Sequence, residues 1–344
     1  MDLLISCRIP LRRRLFSLTF VSSLKTHSCF RMQRMSTVAS RTSNQASAPP
    51  IPRPSASLVI INERNEVLMV QRNPQARSFA GVTVFPGGNL DKKQDSSLRI
   101  TAIREAFEES GLLIARPSDN LARIPSDQVL DEARFEVHGQ KTTFEQFMKG
   151  NHLTADTDSL LPFTTWITPK EAPRRFYTQF YVTFLPGTSA SGFMAGSKQE
   201  RLPKPDGGQE VITARFVRPE DALAEFNAQK ITFMPPQFYI LYTLSNILRN
   251  HTTTFEERVA VQRLSSGPFG RMTLNPRRLI QPEGSPFTVL TYEGDETRGG
   301  SPGRLHRAVV KMGKGGITTA ITLHRNFDIF TEIEPHAFDI SAKL

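Results

Sequence analysis

An α/β fold is what the sequence predicts, on three observations. β-branched runs are separated by short polar turns, one helix has a strongly periodic apolar face, and the last eighty or so residues break into short apolar runs punctuated by glycine turns. Ser57–Asn62 and Glu66–Gln71 read as two strands around the turn Glu63-Arg64-Asn65, and Val82–Phe85 reads as a third, stopped by Pro86-Gly87-Gly88. From Ser97 to Ser110 the apolar positions Leu98, Ile100, Ala102, Ile103, Ala106 and Phe107 recur at helical spacing, and Gly111 stands where a C-cap belongs. A polar, partly helical insertion follows over 113–160, with helices at Ser126–Arg134 and Phe144–Lys149. Arg175–Leu185 and Val211–Val217 then read as strands, and Pro219–Asn227 and Pro236–Arg249 as helices. After residue 263, Glu283-Gly284, Glu293-Gly294, Gly299-Gly300 and Gly315-Gly316 punctuate a β-rich extension.

With 344 residues, of which 38% are hydrophobic, the chain is long enough to bury a sizeable core. No run approaches the ~20 apolar residues of a membrane span. The net charge of +10 is concentrated at the front: through residue 62 there are nine basic residues against the single acid Asp2, and the remainder carries only +2. A nearly neutral body argues against a nucleic-acid-tracking face. Both cysteines, Cys7 and Cys29, lie in the leading segment, so disulfides, cysteine zinc sites and cysteine nucleophiles are excluded from the body. Residues 1–54, rich in Arg and Ser and closed by a Pro-broken run, read as a disordered leader of mitochondrial transit type, with Met32 and Met35 as alternative starts.

The chemistry concentrates in the periodic helix. Glu105, Glu108 and Glu109 stand at i, i+3 and i+4, so one helical face presents three like charges to a point about one turn long. Such a cluster favours a hard divalent cation, Mg²⁺ or Mn²⁺, among its oxygens. Arg104 reaches Glu108 at i+4 and orients it, and the Pro86-Gly87-Gly88 turn lets the backbone carbonyl of Gly87 approach the same cluster.

The string Arg104-Glu105-Ala106-Phe107-Glu108-Glu109-Ser110-Gly111-Leu112, led by Phe85-Pro86-Gly87-Gly88, resembles the second half of the Nudix box. The first half departs: Leu90 and Ser96 stand where the family places Gly and Glu, and Asp91 or Asp95 is the candidate to replace that Glu. The resemblance implies the Nudix α/β/α sandwich with a mixed sheet over 55–262, and a pyrophosphatase whose metal lowers the pKa of an attacking water. It also implies that Glu210, in a loop where several relatives keep a carboxylate, ligates metal or acts as base.

A second resemblance overlaps the first. Leu68-Met69-Val70-Gln71-Arg72-Asn73, Arg77, Gly81 and Phe85-Pro86-Gly87-Gly88 keep the spacing of Nudix enzymes that cleave coenzyme A, while Met69, Val70 and Asn73 depart in type. Coenzyme A suits the residues, because forked guanidiniums at Arg72 and Arg77 match its phosphates. Gly81 and Gly88 let the backbone approach a ligand. Leu161–Pro169 and Arg174–Tyr181 look like the Nudix type 19 group of peroxisomal acyl-CoA diphosphatases. The expected substrate is therefore CoA or acyl-CoA. ADP-ribose, NADH or a dinucleoside polyphosphate is the rival substrate, and a non-catalytic nucleotide-sensing module is the rival role. The final Ala342-Lys343-Leu344 varies the Ser-Lys-Leu address read by the peroxisomal import receptor, which sets peroxisome against mitochondrion.

No histidine stands in a His-Glu-any-any-His pattern and no Gly-any-Ser-any-Gly elbow occurs. Lys311–Gly316 lacks P-loop spacing and reads as a hairpin turn.

Overall fold

The computed structural model describes residues 49–76, 80–120, 122, 125–185, 204–207, 210–313 and 316–333. Arg77, the leader through residue 48 and Ala342-Lys343-Leu344 lie outside them.

The first strand organises everything else. β1 (Arg53–Ile61) turns through Asn62–Asn65 into β2 (Val67–Arg72), which is followed by β3 (Thr83–Val84) and β4 (Gly87–Asn89). The periodic helix is α1 (Leu98–Ser110), and the insertion holds β5 (Ala115–Pro117), α2 (Asp127–His138), α3 (Phe144–Gly150) and β6 (Leu153–Ala155). Next come β7 (Leu161–Ile167), β8 (Phe176–Phe184), β9 (Val211–Val217), α4 (Pro219–Asn227) and α5 (Pro235–Ser245). The chain continues through α6 (Phe255–Ser266), α7 (Pro268–Arg271) and β10 (Thr273–Leu274). Last come β11 (Arg277–Leu279), β12 (Phe287–Thr291), β13 (His306–Met312) and β14 (Thr318–Arg325).

β1 lies parallel to β8 along its whole length, from Arg53 opposite Phe176 to Ile61 opposite Phe184, and antiparallel to β2 and β4. The resulting sheet of eight strands is mixed, and β7 and β9 extend it on either side. A strand buried on both faces must be apolar at every position, and the second half of β1, Leu58 to Ile61, is. Leu58 and Ile60 join Ala102, Ile103, Ala106 and Phe107 of α1, with α2 and α3 beyond them. Val59 and Ile61 face the other way, onto the core that includes α4, α5 and α6. Alternation along one strand thus separates the two helical layers.

The C-terminal strands β11 to β14 form an antiparallel sheet of four in sequence order. It adds Leu290, Tyr292, Ala308, Val310 and Ile321 to the same core as α5. The single Trp166 lies edge-on to Tyr239 and Tyr292, and buried His306 packs against both tyrosines. Among the described residues no helix is long and apolar enough to cross a membrane.

Several elements depart from the sequence reading: Gly87 and Gly88, expected in a turn, pair with β1 in strand β4, and others are missing from that reading or differ in length. α6 is absent from it, although Thr254 and Glu257 form a reciprocal capping box at the start of that helix. β7 has no clean alternation because the ladder with β8 shifts between Pro162 and Thr165, where Thr164 takes φ 68°. The last expected turn of α5 is also missing: the helix stops at Ser245, short of Arg249.

Candidate functional site

α1 starts where Ser97 caps the amide of Ile100, and it stops where Gly111 takes φ 77° and donates its N–H to the Phe107 carbonyl. Its apolar stripe is pinned on β1, so Arg104, Glu105, Glu108 and Glu109 project together from the remaining faces.

Arg104, almost wholly buried, is the hub. Its Nε and Nη2 donate to Asp95 Oδ1 and Oδ2, each at 2.8 Å, its Nη1 donates to Glu108 Oε1 at 2.9 Å, and Nη2 lies 3.0 Å from Glu105 Oε1. Burial alone would lower its pKa, but the surrounding carboxylates hold it above the ordinary arginine value. Asp95 also accepts from Thr101 Oγ1 and from the Asp91 amide, which ties the turn before α1 to the helix. Asp91 instead accepts from Lys93 and Gln94 within its own turn. Of the two aspartates, Asp95 is the one in contact with Arg104.

The three glutamates divide. Glu109 accepts from Arg72 Nη1 at 3.3 Å and from the Gly87 amide at 3.1 Å. Burial first, and then the neighbouring Glu105, push its pKa up to about 8. Glu105 is pushed up to about 7, by burial above all and by the charges of Glu108 and Glu210, against the pull of Arg104. Glu108 behaves differently. Burial raises its pKa, but His138 and Arg104, which hold its two oxygens at 3.3 and 2.9 Å, bring it below the ordinary carboxylate range. The expected convergence of all three on one point is therefore modified, because Glu108 is already engaged by two cations. Among the described residues no three His, Cys, Asp or Glu side chains form a ready cation cage.

The glycines explain the close packing. A Cβ on Gly88 would fall 2.4 Å from Glu105 Oε1, and one on Gly87 would fall 2.4 Å from the Ala56 carbonyl. Gly81 has open space around it, and its φ of 71° is the reason for its lack of a side chain. Arg72 bridges the site to the loop before β9, with Nη2 3.6 Å from Glu210 Oε2. Glu210 is half exposed, and its amide is fixed by Asp206 Oδ2 at 2.7 Å.

The donor set suits a hard divalent ion. Glu105, partly exposed, and Glu109, buried, are neighbouring oxygen donors whose charges repel, and a cation between them would relieve that repulsion. Three contributors escape the sequence reading: His138, Arg134, whose Nε donates to the Glu108 carbonyl at 2.6 Å, and Asp206. Only Asp206 has a local signal, the turn Pro205-Asp206-Gly207.

Residues 92–244 match the NUDT19 Nudix domain. The putative nudix hydrolase 7 of Caenorhabditis elegans is 30% identical over 57% of this chain and 61% of its own length. The acyl-coenzyme A diphosphatase NUDT19 of Xenopus laevis is 25% identical over 52% of this chain and 59% of its own, and its Homo sapiens counterpart is 29% identical over 44% and 40%. The chain thus spans at most 61% of the length of these relatives. A NUDIX hydrolase structure from Alicyclobacillus acidocaldarius superposes with a TM-score of 0.49 at 22% identity, covering 63% of this chain and 99% of that one.

Proposed function

We propose, for a chain that carries a NUDT19-type Nudix domain over residues 92–244, that it hydrolyses the pyrophosphate bond of coenzyme A or acyl-CoA. The products are 3′,5′-ADP and (acyl-)4′-phosphopantetheine. One observation carries the reading: partly buried Glu105 and buried Glu109 lie against Gly87 and Gly88 of β4, beside the guanidinium of Arg72. Two relatives, the acyl-coenzyme A diphosphatases NUDT19 of Xenopus laevis and Homo sapiens, support the substrate class.

Glu105 and Glu109 would hold Mg²⁺ or Mn²⁺, with Glu108 and the Gly87 carbonyl as the further candidates. When bound, such an ion neutralises pyrophosphate charge and lowers the pKa of an attacking water. Arg104 fixes the carboxylates of Glu105 and Glu108. Arg72, paired with Glu109 and near Glu210, has a fork suited to donate to a phosphate, and Arg77 is assigned the same task. Glu210, half exposed beyond Arg72, is suited to accept the proton of the water. Ala342-Lys343-Leu344 supports delivery by the peroxisomal import receptor, and a peroxisomal coenzyme A diphosphatase, ndx-8 of Caenorhabditis elegans, is 43% identical over 15% of the chain.

The test is a panel of CoA, acyl-CoA, ADP-ribose, NADH and a dinucleoside polyphosphate given to purified protein with Mg²⁺ or Mn²⁺, with products resolved by mass. CoA species should turn over fastest and chelation should abolish turnover. Preference for another member of the panel would replace the substrate, and inertness toward all five would leave the nucleotide-sensing role. For delivery, a fluorescent fusion with a free C-terminus should reach peroxisomes and be released by deletion of 342–344. Mitochondrial import that survives this deletion would assign delivery to the leader.

A further inference from the structure

We infer that the helical insertion is a positioning device for the site, in which Arg134 and His138 of α2 set Glu108. The inference rests on the hydrolase reading above.

α1 ends at Ser110, so the Glu108 carbonyl is one of the acceptors its last turn leaves without a helical partner. Arg134 Nε fills that vacancy at 2.6 Å. One turn further along α2, His138 Nδ1 lies 3.3 Å from Glu108 Oε2. A carboxylate oxygen without a proton can only accept, so Nδ1 carries the hydrogen. Residues at i and i+4 share a helical face, so α2 grips one residue of α1 twice, by backbone and by side chain. With Arg104 on Oε1, the Glu108 carboxylate is held at both oxygens and fixed in one orientation.

The clamp itself is anchored. Leu130, Ala133 and Val137 of α2 are buried in the same core as Phe107 of α1, and Phe107 stacks on Phe147 of α3 with ring centroids 5.5 Å apart. On another side Lys204 donates its amide to the Ser110 carbonyl at 3.0 Å and its Nζ to Asp131 of α2 at 2.7 Å. Asp206, two residues on, holds the amide of Glu210. One helix therefore connects the end of α1 to the loop that presents Glu210. An insertion serving only as surface decoration would need no contact with a box carboxylate.

His138→Ala and His138→Asn test this against the wild type, by calorimetric titration with Mn²⁺, by separate kcat and KM for CoA, and by Tm. Removal of a group that orients a ligand typically weakens metal binding about 10-fold or more. His138→Ala should therefore raise the Mn²⁺ Kd and lower kcat by about 10-fold each. KM for CoA and Tm should stay close to wild type. The Asn amide can donate from nearly the same place, so His138→Asn should recover most of both losses. Wild-type Kd and kcat in His138→Ala would overturn the inference, as would a fall in Tm with both losses that Asn fails to restore. A wild type that binds no Mn²⁺ and leaves CoA intact removes the hydrolase reading and this inference with it. An active wild type with an equally active His138→Ala removes this inference alone.

Discussion

Asp95 and Arg104 form a two-pronged ion pair, Nε to Oδ1 and Nη2 to Oδ2 at 2.8 Å each, in which the Asp95 side chain is 0% exposed. It stands one residue before the position where the Nudix pattern places a glutamate. Removing one partner of a buried pair costs about 3–5 kcal/mol, because the other charge stays buried. At roughly 2–4 °C per kcal/mol for a domain of this size, Asp95→Ala should lower Tm by about 10 °C. Differential scanning calorimetry checks it, and an unchanged Tm would mean that the pair contributes no net stability.

Gly87 and Gly88 should fail in different ways. The atoms nearest a Cβ on Gly88 belong to the Glu105 carboxylate, the far end of a flexible side chain that can turn aside. Gly88→Ala should keep its fold and lose kcat by about 10²-fold, or ~3 kcal/mol of transition-state stabilisation. A Cβ on Gly87 meets the Ala56 carbonyl, which cannot yield, so Gly87→Ala should cost about 1–3 kcal/mol of stability. Paired melting curves and turnover numbers separate the two, and equal stability of both variants would contradict the packing argument.

Glu109→Gln keeps the shape and removes one charge, and kcat should fall by about 10²-fold or more. Metal-free stability should move oppositely. The Glu109 carboxyl titrates at about 8 in the folded chain and near 4.5 when unfolded, so between those limits the folded state holds the extra proton and stability falls as pH rises. In chelator, the Tm of Glu109→Gln should therefore exceed that of wild type by more at pH 8 than at pH 5. A constant difference between the two pH values would speak against the raised pKa, and near wild-type turnover with both metals would overturn the catalytic role.

Arg72 gives its Nη1 to Glu109, its Nη2 lies 3.6 Å from Glu210, and its side chain is 17% exposed. Loss of a charge-assisted hydrogen bond worth ~1.5–3 kcal/mol should raise KM for CoA about 10-fold or more in Arg72→Ala. An unchanged KM would remove Arg72 from substrate binding.

His306 should set a further acid limit, through the core it shares with Tyr239 and Tyr292. Burial above all drives its pKa down to about 3; its Nδ1–H donates to the Glu293 carbonyl at 2.6 Å, and Nε2 accepts from the Tyr239 hydroxyl at 2.9 Å. Protons then favour the unfolded chain, so stability should be lost as pH falls from about 6.5 toward 3, at up to about 1.4 kcal/mol per pH unit. Urea midpoints at pH 7, 6 and 5 should decline less steeply in His306→Gln. Parallel pH profiles would show that other groups set the limit.

What can be read from the sequence is local. α1 announces itself by period and caps, and the Glu105, Glu109, Gly87 and Gly88 neighbourhood lies within 25 residues of chain. The partners that define Glu108 come from α2, 26 and 30 residues away, and no nearby pattern marks them. β7 is obscured by its bulge at Pro162–Thr165, and α6 by its sparse apolar stripe, in which Val261 and Leu264 are buried while Phe255 and Val259 are exposed.

The parallel ladder between β1 and β8 has a consequence for the order in which the molecule is made. β1 leaves the ribosome well over a hundred residues before the partner that covers its long edge, which begins only at Phe176. Until then α1 docks on a strand held along that edge by nothing, and its buried carboxylates remain open to water. Closure must join residues 123 apart in the chain, from Arg53 to Phe176, a slow and entropically costly step. The nascent protein should therefore expose a β-branched strand while more than a hundred further residues are synthesised, an interval in which a holdase chaperone has a natural target.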